Sequence, residues 1–206
     1  MSAEPPESRG PRMTAPPPFA AQPPPGLPDL VEHDACALAG FATRDGRPSR
    51  EMVERALAAL QLMVHRSGSV DGEGDGSGLM VDLPRPQWRR RLEGAGLDPA
   101  AADDPRFTVA HVFFDSAEAR ETQVPRLEEL VREAGFEVLW SGEGTVDRGA
   151  LGPRAAETPP VFWQMACMAS GPGSAASTAC YRAMVRIERE LECHVASFSA
   201  NDAVYK

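Results

Sequence analysis

Proline is distributed so unevenly along this chain that it divides the sequence into two unlike parts. Half of the 20 prolines of the 206-residue chain fall within residues 1–28, including the runs 16–18 and 23–25. Proline fixes its own φ angle and has no N–H to donate, so such a stretch forms neither a helix interior nor a central strand. We therefore expect residues 1–35 to be a disordered, proline-rich leader. Residues 36–206 are numerous enough for one domain with a sizeable core.

The charge of the chain limits the kind of partner it can bind. The net charge is −9 and the sequence pI is near 5.0, so no excess of basic residues is present to bind a nucleic acid or another polyphosphate. The densest basic run, Arg89-Arg90-Arg91, is predicted to be a solvated helix face. No apolar run approaches the roughly 20 residues that span a bilayer, and the N-terminus has no signal-peptide pattern. We expect a cytoplasmic protein.

Hydrophobic periodicity predicts helices and strands in mixed order. Ser49 is the expected N-cap of a helix that reaches about His65, because apolar residues recur there three and four positions apart. A helix over 116–134 is expected to be interrupted or restarted at Pro125, and another covers 177–192. Strands are predicted at 37–43, 79–83, 107–114, 136–140, 161–168, 194–199 and 203–205, with a loop at 141–160. Since these elements do not alternate as regular βαβ units, the predicted fold class is α+β.

The four cysteines are spread along the chain, and one of them occupies a special position. Cys167 lies in a predicted strand, Cys180 and Cys193 lie in or at the end of a predicted helix, and all three are interpreted as small packing residues. No two cysteines form a Cys-x-x-Cys pair, so no zinc site is expected. Cys36 lies where the leader meets the domain, and removing the leader would place it at a new N-terminus. This position indicates an N-terminal nucleophile enzyme.

Four short motifs then make the chain recognisable: Glu32-His33-Asp34-Ala35-Cys36, Gly46-Arg47-Pro48-Ser49, His65-Arg66 and Gly74-Asp75-Gly76-Ser77-Gly78-Leu79. In this order and spacing they resemble the amino-terminal glutaminase domain of the glutamate synthase large subunit, a class II glutamine amidotransferase. The resemblance covers most of residues 29–206. It implies an N-terminal nucleophile hydrolase-like αββα sandwich, incomplete at its C-terminus, over residues 36–206.

The resemblance also implies a reaction. A thiol with a pKa of about 8.5 is only a few per cent ionised at neutral pH, and the α-amino group of a processed Cys36 could act as its general base. The thiolate would attack the side-chain amide of glutamine, release ammonia and leave a thioester for water to hydrolyse. Arg66, Asp75 and Gly76 are the implied substrate-side residues. The implied partners are glutamine and a downstream glutamate synthase polypeptide, with no cofactor in this segment, no metal, no nucleic acid and no membrane.

Each of the implied substrate-side residues also has a purely structural interpretation. Arg66 could simply end the helix, where a cation is favoured by the helix dipole. Asp75, Gly76 and Gly78 could form a turn that needs positive φ angles.

The chain departs from the family pattern in ways that leave two hypotheses open. Ala37 and Ser67 replace two glycines of the family. The family's later Arg-Phe-Ser-Thr-Asn and Asn-Gly-Glu motifs are not found, and Asn201-Asp202 does not match the Asn-Gly pair that forms the oxyanion hole. The first hypothesis is a glutaminase part that is competent only with the missing half. The second is a non-catalytic or decayed relative with a binding or regulatory role.

Overall fold

The computed structural model describes residues 37–63, 69–70, 73–74, 76–200 and 203–205. The helices there are α1 (Arg50–Leu62), α2 (Arg85–Gly94), α3 (Ala117–Glu133), α4 (Pro153–Glu157) and α5 (Ser174–Glu190). The strands are β1 (Ser69–Val70), β2 (Glu73–Gly74), β3 (Phe107–Phe114), β4 (Phe136–Glu143), β5 (Val161–Ala169), β6 (Cys193–Ala200) and β7 (Ala203–Tyr205). Short 3-10 helices lie at Pro99–Asp103 and Arg148–Ala150. The predicted α+β class is confirmed.

An antiparallel sheet of five strands, in the order β4-β5-β3-β6-β7, is the centre of the domain. β3 lies in the middle and pairs with β5 along its whole length, from Phe107 opposite Met168 to Phe114 opposite Val161. Successive side chains of a strand point to opposite faces. The apolar sequence of β3 therefore supplies buried residues to both sides of the sheet.

Helices α3 and α5 cover one face of this sheet. Their buried residues recur at helical spacing and pack on the inward side chains of the strands: Leu127, Leu130 and Val131 from α3, and Ala176, Cys180, Ala183, Met184 and Ile187 from α5. At the solvent edge the two helices are joined by ion pairs of Arg126 and Arg186 with Glu133 and Glu190. The side-chain hydroxyl of Ser116 caps α3 by accepting the N–H of Ala119.

Helix α3 runs unbroken through Pro125, so the predicted interruption there is wrong. Proline removes one backbone hydrogen bond from a helix interior, which favours a kink. Val124 and Leu127 on either side of Pro125 pack into the core formed with the sheet. This tertiary burial keeps the helix continuous despite the missing bond.

Among the described elements, α2 covers one half of the opposite face of the sheet. Trp88 and Leu92 of α2 are buried against the half that we call the closed half, formed by Phe107, Val109, Trp140, Ala166 and Met168. A register shift between Val138 and Trp140 places an extra residue, Leu139, in β4. Such a bulge re-aims side chains, and Leu139 and Trp140 both pack beside α2. The remaining half, formed by His111, Phe113, Phe162, Gln164 and Ser197, is partly exposed and is called the open half.

Several predicted elements differ from the structure. Residues 37–43 and 79–83 form no strand, and every residue in the ranges 37–63 and 76–87 is at least partly exposed. Leu79, Met80 and Val81 are 39%, 67% and 44% exposed, because these apolar residues have no neighbouring strand among the described residues. The predicted loop at 141–160 contains the end of β4, a 3-10 helix and α4. Cys193 begins β6 and does not end a helix.

No helix in the described ranges is both long enough and apolar enough to cross a membrane.

Candidate functional site

The residues predicted to form the site lie mostly beyond the part of the chain that the structure describes. Cys36, Arg66 and Asp75 are outside the described residues, as are His33, Asp34 and His65. Gly76 is described. The proposed roles of Cys36, Arg66 and Asp75 therefore stay predictions.

Gly76 has the conformation that the turn interpretation of the glycine motif requires. Its φ is +85°, in the left-handed region that side-chain-bearing residues rarely adopt. A Cβ built on Gly76 would meet no atom within 4 Å. The requirement for glycine there is conformational and not a matter of space. Gly78, by contrast, has no positive φ, so the expectation of a positive φ at that position is wrong.

The motif Gly46-Arg47-Pro48-Ser49 has a local structural role. Asp45 accepts the N–H of Arg47 at 3.1 Å, and the hydroxyl of Thr43 donates to the carbonyl of Arg47 at 3.1 Å. Ser49 then caps α1 by accepting the N–H of Met52 at 3.3 Å, which confirms the predicted N-cap. The turn and cap fix where α1 begins. α1 ends at Leu62, before the His65-Arg66 motif, and so is shorter than predicted.

The three cysteines within the described ranges are poor nucleophiles. Cys167 and Cys180 are fully buried, as predicted for packing residues. Burial raises the pKa of the Cys167 thiol far above its ordinary value. Burial, with smaller effects from Glu188 and Asp115, raises the pKa of Cys193 to about 11. A thiol must ionise to attack a carbonyl. These environments therefore argue against a nucleophilic role for any of the three described cysteines.

The structure brings together one polar cluster that the sequence patterns did not predict. On the open half of the sheet, the amide of Gln164 lies between the guanidinium of Arg91 (2.5 Å) and the ring of His111 (3.0 Å), and Ser197 lies 3.1 Å from the other ring nitrogen. Arg91 belongs to the run predicted to be a solvated helix face. Arg89 and Arg90 are exposed as predicted, but Arg91 is half-buried over the rings of Trp88 and Trp140.

A sequence signal for this cluster does exist. His111 and Gln164 are polar residues within mostly apolar strands, and they occupy facing positions in the β3–β5 register. Within the described ranges, no group of three or more His, Cys, Asp or Glu side chains could hold a metal ion.

Comparisons with known proteins give the family of the chain. The profile of the class-II glutamine amidotransferases matches residues 36–206, beginning at Cys36. The chain is 35% identical over 189 residues to ferredoxin-dependent glutamate synthase 2 of Synechocystis sp., an alignment that covers 88% of this chain and 12% of that protein. It is 30% identical over 139 residues to the glutamate synthase (NADPH) large chain of Azospirillum brasilense, covering 65% of this chain and 9% of that one.

A plant protein gives a similar match. The ferredoxin-dependent glutamate synthase of Spinacia oleracea chloroplasts is 31% identical over 140 residues, covering 66% of this chain and 8% of that protein. The chain thus spans about an eighth or less of the length of these curated relatives. The family match extends over most of the chain and includes the whole described sheet with its helices. The chain therefore belongs to the class-II glutamine amidotransferases, and its fold is the N-terminal nucleophile fold of that family.

Proposed function

We propose that this chain is the glutaminase part of a glutamate synthase-like protein, which hydrolyses glutamine to glutamate and ammonia through a thioester on Cys36. The observation that carries the proposal is the start of the family match, which falls on Cys36, the residue at the end of the proline-rich leader. The resemblance of the chain to large glutamate synthases supports the same function.

The proposed chemistry needs one residue to serve both as nucleophile and as base. Once residues 1–35 are removed, the α-amino group of Cys36, with a pKa of about 8, can accept the thiol proton. The sulfur attacks the side-chain amide carbon of glutamine, and the C–N bond breaks as the amide nitrogen takes up the proton and leaves as ammonia. Water then attacks the γ-glutamyl thioester, which releases glutamate and restores the thiol.

Arg66, Asp75 and Gly76 are proposed to contact the substrate. Arg66 supplies a cation for the α-carboxylate of glutamine, and Asp75 a carboxylate for its α-ammonium group. Gly76 keeps the turn beside Asp75 in the conformation observed, with a φ of +85°. This hydrolysis needs no cofactor or metal. In the proposed scheme a downstream glutamate synthase polypeptide receives the ammonia, and the protein acts in the cytoplasm.

A second candidate function is a non-catalytic domain with a binding or regulatory role. Ala37 and Ser67 favour it, because each puts a Cβ where the family has glycine. Ala37 is exposed, so its methyl group meets no buried packing at that position. Steric hindrance by the Ala37 methyl group is therefore a weaker argument against catalysis at Cys36.

Ammonia release from glutamine by protein that begins at Cys36 tests the proposal. The variants Cys36→Ala and Cys193→Ala serve as a matched pair, because both remove a thiol but only the first removes the proposed nucleophile. In the presence of a polypeptide that carries the Asn-Gly-Glu and Arg-Phe-Ser-Thr-Asn motifs, turnover should be lost in Cys36→Ala and kept in Cys193→Ala. Protein that still carries residues 1–35 should be inactive, since its Cys36 has no α-amino group. Intact-mass analysis after acid quenching should show a glutamyl adduct on Cys36.

The same assay separates a glutaminase part that needs a second polypeptide to complete its site from a non-catalytic domain. No Asn-Gly pair occurs in the 206 residues, and a missing oxyanion donor lowers turnover about 100- to 1000-fold. We expect full turnover only after addition of a polypeptide that carries the Asn-Gly-Glu and Arg-Phe-Ser-Thr-Asn motifs. Full turnover without it would contradict the two-part site and leave the Cys36 mechanism standing. No turnover and no adduct under either condition would overturn the glutaminase proposal in favour of the non-catalytic domain.

A further inference from the structure

Four side chains on the open half of the sheet form a continuous hydrogen-bonded chain. It starts on α2 at Arg91, crosses Gln164 of β5 and His111 of β3, and ends at Ser197 of β6. These hydrogen bonds therefore connect one helix to three adjacent strands. The guanidinium of Arg91 also lies 4.8 Å from the ring centre of Trp140 and 5.4 Å from that of Trp88.

The positions of the hydrogens follow from the chemistry of arginine. A guanidinium only donates, so the side-chain atom of Gln164 that faces Arg91 must be the carbonyl oxygen. The amide nitrogen of Gln164 then faces His111 and donates to its Nε2, 3.0 Å away. Nε2 must therefore carry a lone pair. A neutral imidazole has its hydrogen on the other nitrogen, so Nδ1 donates to the hydroxyl of Ser197 at 3.1 Å.

This arrangement has no place for a second proton on His111. A hydrogen on Nε2 would point at the amide hydrogens of Gln164. If the Gln164 amide turned over to offer its oxygen to His111, its nitrogen would face Arg91, and two donors would oppose each other there. Whichever way the Gln164 amide points, protonation of His111 therefore costs the four side chains one of the hydrogen bonds that connect them.

The surroundings of His111 act in the same direction. Among the described residues, α2 contributes the positive charge of Arg91, while β5 contributes Gln164 and Phe162 and β6 contributes Ser197, none of them charged. Burial, and then the charge of Arg91, lower the pKa of His111 below its ordinary value of 6.5. The neutral form therefore persists through neutral pH, and protonation occurs only on the acid side of 6.5.

We propose that Arg91, Gln164, His111 and Ser197 form an acid-sensitive latch that fastens α2 to the sheet, and that adding one proton to His111 opens it at the contact between Arg91 and Gln164. The latch lies at the boundary between the closed half of the sheet, which α2 covers, and the open half. Opening it frees the guanidinium of Arg91 and loosens the packing of Trp88 and Trp140 around it. The proposal does not depend on glutaminase activity.

Nuclear magnetic resonance of the full chain tests the hydrogen positions directly. Long-range nitrogen–proton spectra distinguish the two neutral tautomers of histidine from the imidazolium, and His111→Gln identifies the signals of His111. At pH 7.5 His111 should be neutral with its hydrogen on Nδ1. Its titration midpoint should lie below pH 6.5, and the indole signal of Trp88 should shift with the same midpoint. A hydrogen on Nε2, an imidazolium at pH 7.5 or a Trp88 signal that ignores the titration would each overturn the latch.

The variant Gln164→Glu tests the mechanism of opening. A carboxylate accepts hydrogen bonds from both Arg91 and a protonated His111, so the latch stays closed when His111 is charged. The titration midpoint of His111 should shift to higher pH, and the acid shift of Trp88 should disappear. His194→Gln, which removes a more exposed histidine of β6, should leave both unchanged. An identical His111 midpoint in Gln164→Glu and the wild type would contradict the proposal. If that variant does not fold, the tautomer measured in the wild type still decides.

Discussion

The four cysteines show how strongly the chemistry of one residue type depends on its environment. The core holds Cys167 and Cys180 with no exposed surface, and β6 holds Cys193 half-buried with a pKa raised to about 11. At pH 8 a thiol with that pKa is ionised to only about one part in a thousand. In the proposed mechanism Cys36 is N-terminal and lies beside its own α-amino group, so neither burial nor a raised pKa opposes its ionisation. Reactivity therefore distinguishes the four residues without any assay of turnover.

Alkylation with iodoacetamide at pH 8 should follow this order. In protein that begins at Cys36, we expect Cys36 to react first, Cys193 slowly, and Cys167 and Cys180 only when the protein unfolds, because only a thiolate in contact with solvent reacts. Peptide mapping by mass spectrometry after increasing times gives the four rates. In 6 M urea the differences should largely vanish, which serves as the control. A Cys193 that reacts faster than Cys36 would argue against an activated Cys36.

Gly135, at the end of α3, is a second residue whose identity has a clear physical reason. Its φ is +93°, and a Cβ on it would lie 3.2 Å from the hydroxyl oxygen of Ser170. The carbonyl of Gly135 accepts hydrogen bonds from both the backbone N–H and the hydroxyl of Ser170. This turn therefore determines how β4 follows α3 back into the sheet.

Gly135→Ala should lower the free energy of unfolding by about 1–2 kcal/mol, because the left-handed conformation is strained for alanine. Gly94→Ala is the matched control. Gly94 lies in the last turn of α2, has no atom within 4 Å of a built Cβ, and should gain up to about 1 kcal/mol from helix propensity. Urea denaturation of the two variants measures both effects. Equal stability changes would show that the backbone at Gly135 relaxes freely.

Among the elements, α2 shows the largest difference between the exposure that its composition predicts and the burial that the structure shows. Arginines, a glutamine and a glutamate give it a polar composition that is typical of a solvated helix, yet Trp88 is only 4% exposed. Its ring lies 6.1 Å from that of Phe107 and 5.9 Å from that of Trp140, both in edge-to-face geometry. Two buried side chains, Trp88 and Leu92, thus attach this polar helix to the closed half of the sheet.

Trp88→Ala should lower the free energy of unfolding by about 3–5 kcal/mol, since it empties most of the space between α2 and the sheet. The exposed Met80, with 67% of its surface accessible, provides a contrasting large-to-small change. Met80→Ala should alter stability by no more than about 0.5 kcal/mol. Thermal or urea unfolding followed by far-UV circular dichroism avoids the loss of the Trp88 fluorescence signal. A small effect of Trp88→Ala would mean that α2 contributes little to the fold.

Across the whole molecule, burial is distributed very unevenly. In the ranges 37–63 and 76–200, every buried residue lies between Trp88 and Ala200, on the sheet and the helices that cover it. Residues 37–63 and 76–87 contain none, although α1 is a regular helix with a satisfied N-cap and ion pairs Arg50–Glu54 and Arg55–Glu51 on its surface. Local structure is formed there without the core burial that supplies most of a helix's stability.

Hydrogen exchange should reflect this division. We expect the amides of β3 and β5 to exchange slower than those of α1 by on the order of 100-fold or more, because opening β3 exposes both cores whereas opening α1 exposes little. Exchange at neutral pH followed by mass spectrometry or NMR resolves the two segments. Helix α3 is the internal control, because it is a helix like α1 but has buried residues that face the sheet. Its amides should exchange as slowly as those of the sheet to within about 10-fold. Equal protection of α1 and β3 would show that α1 packs more tightly than its exposure indicates.

The sequence by itself determined the α+β class, the family, and the strands and long helices from residue 107 onward, with boundaries within a few residues, but it missed α4. It succeeded there because apolar periodicity reports which side of an element is buried, as in β3 and α5, and because caps such as Ser49 act locally. Tertiary structure alone decided the rest. The apolar run 79–83 forms no strand because a strand needs a neighbour, and α3 continues through Pro125 because the core holds it. Arg91 is half-buried because Trp140 and Gln164, on two strands far away in the sequence, contact it together with Trp88 of its own helix. No local pattern predicts the contacts with the strands.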